Sequence, residues 1–268
     1  MKILIIGGGN MGATYAQSFL RSHIASREAM MILEKSPEKA AELARKDIGR
    51  VFGRPEDCID KADLIILAVK PQDAPVLFQN IRPLLHEQQV VLSIMAGVQI
   101  HTIAQALGVH KIIRAMPNLP AQIGMGMTAF TSSETVTRIE LVTVQNLLNT
   151  TGKTIYVEQE SSIDGATAIS GSGPAYVWFF MKAMMSAARD MGFNESEAEL
   201  LVSQTFHGAV ELYRATDLSC TEWIERVCSR GGTTEAALGV YETNAVQADI
   251  VAGAMAALHR AKELGGSK

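Results

Sequence analysis

Gly7-Gly8-Gly9-Asn10-Met11-Gly12 spells G-x-G-x-x-G through Gly7, Gly9 and Gly12. It follows the apolar run Ile3-Leu4-Ile5-Ile6 and opens a stretch of helical period from Met11 to Arg21, the context in which this pattern binds a dinucleotide. Gly7 permits a tight turn, Gly9 lets backbone approach a pyrophosphate, and Gly12 allows close helix–strand packing. The helix start then offers N–H groups and a partial positive charge to that anion. About 20 residues beyond this loop a dinucleotide fold reads the adenosine ribose, and here that place holds Leu33-Glu34-Lys35-Ser36. A carboxylate there accepts hydrogen bonds from ribose hydroxyls, whereas a cation or hydroxyl holds a 2′-phosphate. All three are present, and a solvated turn with Ser36 capping the helix behind Pro37 is the equal alternative. Glu34 repels a 2′-phosphate and exposed Lys35 attracts it, so the expectation is that NADH and NADPH serve within about tenfold of each other.

Ala68-Val69-Lys70-Pro71 closes a later apolar run, and ligands of open α/β sheets sit at strand ends. Pro71 stops pairing and holds Lys70 extended, so Lys70 either reaches a phosphate or is a plain exposed lysine. Ser93–Val98, with Ala96 inside it, and Ala115-Met116-Pro117-Asn118 end further runs and are candidates to line a nicotinamide pocket. Later in the chain, Ser170-Gly171-Ser172-Gly173-Pro174-Ala175-Tyr176 puts proline at a helix start behind small residues. Cys228-Ser229-Arg230-Gly231-Gly232-Thr233-Thr234 opens another helix with two glycines and two threonines. That is either a capped helix start or a nest of N–H and hydroxyl donors suited to a carboxylate. Neither a Walker loop nor a nucleophile elbow occurs, and no lysine or histidine stands out as a proton donor. Hydride transfer to a cationic iminium needs little beyond orientation and anion binding, and such chemistry suits this inventory.

These residues require a scaffold that presents strand ends on one edge. Apolar runs at Lys2–Ile6, Met30–Leu33, Leu64–Val69, Val90–Ile94, Lys111–Arg114, Met127–Phe130 and Thr154–Val157 predict strands. Helical periods separate the early ones, as at Pro37–Arg45, so the expected class is α/β: a Rossmann-like, doubly wound parallel sheet. After about Asp164 the pattern is helical throughout: Pro174–Met191, Glu195–Ala215, Thr221–Val227, Thr233–Tyr241 and Ala245–Leu264. The expected division is a dinucleotide-binding domain at 1–163 and an all-helical dimerisation and substrate-binding domain at 164–268. The helix from Pro174 is apolar almost all round, which demands burial, either as a central core helix or beneath a second subunit. The second option, an obligate dimer, is the expectation.

Composition narrows the function. A net charge of −4 provides no basic field for nucleic acid or an anionic membrane surface, and no apolar stretch approaches the ~18 residues of a span. The four-residue run before Gly7 is short for a secretory signal. Three scattered cysteines and six dispersed histidines show no metal-ligand spacing. The expectation is a cytoplasmic protein acting on a small molecule, with no bound metal.

Taken together and in order, Ile6–Gly12, Ala68–Pro71, Ser93–Val98, Arg114–Asn118, Ser170–Tyr176 and Val227–Thr234 resemble the pyrroline-5-carboxylate reductase family over essentially the whole chain. SGSGPAY paired with a GGTT segment is the narrow part of that resemblance. It implies a Rossmann domain, a helical dimerisation domain, and an active site built between two subunits. The implied reaction is hydride transfer from NADPH or NADH (cofactors NADP and NAD) to C5 of 1-pyrroline-5-carboxylate, giving L-proline in the last step of proline biosynthesis. It also implies dinucleotide contacts at Gly7–Gly12 and Ala68–Pro71. Ser229, Gly231, Gly232, Thr233 and Thr234 would hold the substrate carboxylate, with the Thr234 hydroxyl facing the ring nitrogen and Asp217 as an acid near the substrate. The chain departs from the family pattern at Arg230, where proline is usual, at Glu34-Lys35, where Asn-Arg is frequent, and at Glu225. Rival readings are a related reductase for another cyclic imine or a β-hydroxyacid, and a non-catalytic dinucleotide sensor. Hydroxyacid enzymes set a lysine early in the helix behind the small residues, whereas here the first lysine is Lys182. A sensor would need no carboxylate nest at Ser229–Thr234.

Overall fold

Ile3–Ile6, Met30–Leu33, Leu64–Leu67 and Val90–Ser93 are buried at every position, as strands covered on both faces must be. The computed structural model describes residues 1–266 and assembles these runs into one eight-stranded sheet. Its strands are β1 (Ile3–Ile6), β2 (Met30–Leu33), β3 (Arg50–Phe52), β4 (Leu64–Leu67), β5 (Val90–Ser93), β6 (Ile112–Met116), β7 (Gly126–Ser132) and β8 (Gly152–Tyr156). They lie in the order β3-β2-β1-β4-β5-β6-β7-β8, the doubly wound class expected above. The crossing helices are α1 (Asn10–Arg21), α2 (Pro37–Lys46), α3 (Ala74–Ile81), α4 (Ile100–Leu107) and α5 (Arg138–Asn149). Alternation along β1 feeds two cores: Ile3 and Ile5 pack with Tyr15, Phe19 and Leu147, while Leu4 and Ile6 pack with Phe78 and Ile103 on the other face.

The sheet differs from expectation in the direction of β7 and in the presence of β3. β7 runs antiparallel to β6, because only the short Leu119–Ile123 turn joins them and a parallel return needs a crossover of a dozen residues or more. Thr154–Val157 extends upstream to Gly152, and β8 pairs parallel with β7. β3 carries no apolar run. It forms because Gly49, at φ 135°, turns the chain so that Arg50–Phe52 pairs with β2 at the sheet edge.

The chain packs as two compact units, one of residues 1–172 together with the chain from Ala257 onward, the other Gly173–Ala256. Within the first, α6 (Ser161–Ala166) and a π-helical turn at Thr167–Gly171 associate with β6 and β7. Residues 164–172, grouped above with the helical part, therefore lie with the sheet. In the second unit, α7 (Gly173–Asp190) packs on α8 (Glu195–Arg214) across a turn at Gly192, φ 100°. α8 starts with a capping box of Asn194 and Glu197, and α9 (Cys220–Val227) with one of Ser219 and Glu222. α10 (Thr233–Thr243) and α11 (Val246–Leu264) follow. The helical periods predicted these five elements to within two residues at most ends. What they lack is a core: Trp178 is 52% and Phe179 69% exposed on α7, as is Leu200 at 67% on α8. The central-core-helix alternative for α7 is thereby excluded for the single chain. Among the described residues no helix is long and apolar enough to cross a membrane.

Arg114, on β6, is almost wholly buried. Its guanidinium donates to Glu160 Oε1 (3.0 Å) and to Asp164 Oδ1 (2.7 Å), and Glu160 Oε1 also accepts from the Ile100 amide at the start of α4 (2.8 Å). One arginine thus joins β6, α4 and α6. Removing one partner of such a cluster leaves buried charge uncompensated, at a cost of roughly 3–5 kcal/mol. Arg114→Met is expected to lose that much stability in urea titration, and a loss below about 1 kcal/mol would show that the cluster is dispensable.

Candidate active site

The glycine loop is shaped by three close approaches. Gly7 adopts φ 104°, and a Cβ there would sit 2.7 Å from the Ala68 carbonyl oxygen, so β1 and β4 can pair through to their ends only without a side chain. A Cβ on buried Gly12 would overlap the Gly7 carbonyl oxygen and stand 3.1 Å from Ile5 Cγ2. A Cβ on Gly8 would collide with Leu43 of α2 and lie 3.3 Å from Glu34 Oε2. The motif treats Gly8 as a free position; here a side chain would have to displace the tip of Leu43, a milder demand than the backbone contacts at Gly7 and Gly12. Gly9 is different. It is the N-cap of α1, with φ −68° and ψ −171° and no capping side chain, and nothing lies within 4 Å of where its Cβ would be. The first amides of α1 have no partner within the helix, so an uncapped, positively polarised helix end faces open space over Gly9. Asn10 is exposed beside it, and Met11 packs against the core. This cradle fits a pyrophosphate.

Glu34 and its neighbours are separated in role by the structure. Glu34 is 8% exposed and accepts the Gly8 amide on Oε2 (3.0 Å) and the Ser36 amide on Oε1 (2.9 Å). Its carboxylate therefore ties the glycine loop to the end of β2. Ser36 caps α2 by accepting the Lys39 amide (3.4 Å). Lys35 is exposed and pairs with Asp73 at 3.3 Å. The even balance expected among these three is broken: the carboxylate faces the loop, the hydroxyl serves the helix and the ammonium lies to the side.

At the end of β4, Ala68 and Val69 are half-buried and Lys70 is exposed in extended conformation, φ −70° and ψ 144°, ahead of a turn begun by Pro71. Past β5, fully buried Ser93 accepts the Met95 amide (3.3 Å), and half-buried Ala96 precedes Gly97, φ 77°, which lies against Leu264. Past β6, Asn118 is a clamp that spacing did not reveal: its Nδ2 donates to the Ser170 carbonyl (3.0 Å) and its Oδ1 accepts the Met127 amide (2.9 Å). A Cβ on Gly171 would stand 2.9 Å from Met116 Cε. The small residue there makes room for Met116.

In the second unit, α9 ends at Cys228 and the chain turns through Ser229–Gly232. Gly231 has φ 73°, the Gly232 amide donates to the Ser229 carbonyl (2.9 Å), and a Cβ on Gly232 would be 2.5 Å from Ser229 Oγ. The Gly231 amide donates to Glu235 Oε2 (2.6 Å). The Glu235 carboxylate thus reaches back to the residue before the Gly232 cap, a contact that the sequence spacing did not reveal. Both glycine amides are thus used inside the turn. The donors left at the head of α10 are the amides of Thr233 and Thr234, which have no partner in their own helix, and the hydroxyls of Ser229, Thr233 and Thr234. Gly232 supplies no capping side chain. Arg230 and Asp217 are exposed, Asp217 in the connection between α8 and α9. Cys58 is fully buried, and that burial pushes its thiol up to about 11, so it packs and does not react.

Residues 160–264 match a family described as pyrroline-5-carboxylate reductase dimerisation, and residues 2–97 match one described as NADP oxidoreductase coenzyme F420-dependent. The chain is 31% identical to the pyrroline-5-carboxylate reductase of Pseudomonas aeruginosa, covering 98% of this chain and 96% of that one. It belongs to the pyrroline-5-carboxylate reductase family. The solved structure of the Coxiella burnetii reductase covers 98% of both chains with a TM-score of 0.90 at 31% identity. That of the Plasmodium falciparum enzyme with NADP bound covers 99% of this chain and 98% of that one, with a TM-score of 0.89 at 27% identity. The exposed apolar faces of α7 and α8 fall within the family's dimerisation region.

The glycines of this family member lend themselves to a contrast. Gly12→Ala is expected to cost roughly 1–3 kcal/mol of stability through overpacking, whereas Gly9→Ala should melt within a few degrees of wild type yet bind dinucleotide at least tenfold more weakly. Thermal melts with equilibrium binding of NADH check this, and unchanged binding in Gly9→Ala would mean that the cradle holds something else.

Proposed function

We propose that the protein reduces 1-pyrroline-5-carboxylate to L-proline with NADPH or NADH. The observation that carries this reading is the presence, in one chain, of two uncapped helix starts of different build. The one at Gly9 is open and backbone-lined, suited to a pyrophosphate. The one at Gly232 is lined by three hydroxyls, suited to a small carboxylate. Full-length identity to reductases of this name supports the same conclusion.

The bound dinucleotide supplies a hydride, two electrons and one proton, to C5 of the substrate ring, while the ring nitrogen carries the second proton. Gly7–Gly12 and Ala68–Pro71 hold and orient it, with Lys70 toward a phosphate and Ala96 near the nicotinamide side. Thr233 and Thr234 amides and the Ser229 and Thr233 hydroxyls take the substrate carboxylate, as the glycine amides of the turn are already engaged. The half-buried Thr234 hydroxyl faces the ring nitrogen and orients it. Asp217 supplies negative charge on the substrate side, which favours the iminium. No strong acid is needed, because the carbon that accepts hydride is already electrophilic in the iminium.

The test is oxidation of NADH or NADPH by the purified protein with pyrroline-5-carboxylate, with a β-hydroxyacid, and without substrate. Turnover with the imine alone is expected; none would sink the reading. Thr234→Ala should lower kcat by about ten- to a hundredfold, or roughly 1–3 kcal/mol, with cofactor binding intact. Full kcat/KM in that variant would reduce Thr234 to a helix residue.

The working form is a homodimer, or a larger homo-oligomer built from dimers, joined through the exposed apolar faces of the helical unit. Free thiols at Cys58, Cys220 and Cys228 suit a reducing cytoplasm. Interfaces of this obligate kind bury more than about 2,000 Å², so sedimentation at micromolar concentration should reveal no monomer. A stable, active monomer would overturn this assignment.

A further inference from the structure

Which dinucleotide the protein prefers is decided by what meets the 2′-position of the adenosine ribose, and the three adjacent residues at the end of β2 are no longer equal candidates. Glu34 is buried at the strand end and fixed from two sides, by the Gly8 amide of the phosphate cradle at 3.0 Å and the Ser36 amide at 2.9 Å. An ionised carboxylate has about four acceptor positions, so two remain after these bonds. The link to Gly8 places them beside the same loop that receives the pyrophosphate, where a ribose would follow. The two neighbours of Glu34 have other contacts, and neither is fixed beside the cradle as Glu34 is. Ser36 caps α2, and the Lys35 ammonium sits on Asp73, at the start of α3. Lys35 is exposed and its ion pair is a weak surface one, but moving it toward the ribose would still leave Glu34 where it is, since Glu34 is held by backbone amides.

We propose that Glu34 makes this chain an NADH-preferring enzyme, accepting the ribose hydroxyls and excluding the 2′-phosphate of NADPH. This goes beyond the reading above, in which either dinucleotide serves, and it rests on that reading for the cofactor's place. It also replaces the near-parity expected from the sequence. A fixed, shielded carboxylate outweighs an exposed ammonium that is screened by solvent and salt.

The test is equilibrium binding of NADH and NADPH to the purified protein, by calorimetry in the absence of substrate. The wild-type Kd for NADH should be at least tenfold lower than that for NADPH, a difference of about 1.4 kcal/mol. Glu34→Gln, which keeps an acceptor for one of the two backbone amides and removes the charge, should narrow the ratio by about tenfold, chiefly by tightening NADPH. Lys35→Ala should change the Kd for NADPH by less than about twofold. Wild-type protein that binds NADPH as tightly as NADH overturns the proposal without recourse to any variant. So does an unchanged ratio in folded Glu34→Gln, or a large loss of NADPH affinity in Lys35→Ala. If neither dinucleotide binds, the reductase reading itself fails, an outcome distinct from binding with the opposite preference.

Discussion

Everything at the dinucleotide end of this protein depends on the contact between the Gly7 carbonyl and the backbone of Gly12, which leaves no space for a Cβ. That contact sets α1 directly on β1, so the helix starts where the strand ends and its free amides point along the sheet edge. A side chain at Gly12 would push the helix off the strand and re-aim the amides. A side chain at Gly7 would separate β1 from β4, whose end carries Ala68–Pro71. Buried Glu34 completes the arrangement by holding the Gly8 amide. An interior carboxylate is tolerated there because two amides solvate it, and in return the loop has one conformation.

The helical unit follows a different rule. Its helices have good local signals, with capping boxes at Asn194 and Ser219, but between Gly173 and Ala256 the buried apolar residues are Ala188, Ala198 and Val202. Such a unit cannot hide Trp178, Phe179 and Leu200 within itself, and small domains bury too little surface to do without help. Association would cover these faces, and they lie in the region that matches the family's dimerisation model.

Arg114, Glu160 and Asp164 perform for the far side of the sheet what Glu34 does for the near side. The three charges join β6, α6 and the first amide of α4, and so hold the strand end that continues into Asn118. Asn118 in turn fixes the Thr167–Gly171 turn, which leads to α7. The two terminal nitrogens of Arg114 are partnered and its Nε is not, and a packing that broke either ion pair would leave buried charge unmatched.

By itself, the sequence determined the fold class, the place of seven of the eight strands, the first two helices and the last five, the glycine motif, the family, and the surplus of apolar surface on the helix from Gly173. These are local or periodic properties: burial on both faces makes a strand apolar throughout, and a turn at φ 104° calls for glycine. Tertiary structure alone decided the rest. It gave β3 its pairing and β7 its reversed direction, since an edge strand and a short return have no composition of their own. It showed Gly8 to be constrained by Leu43 and Gly171 by Met116, contacts between residues far apart in the chain. Glu34, Lys35 and Ser36 stand side by side in the sequence, the first suited to ribose hydroxyls and the other two to a 2′-phosphate. Only folding gave Glu34 to the glycine loop, Ser36 to α2 and Lys35 to Asp73, because a side chain's role is set by the partners that three dimensions bring within hydrogen-bond reach.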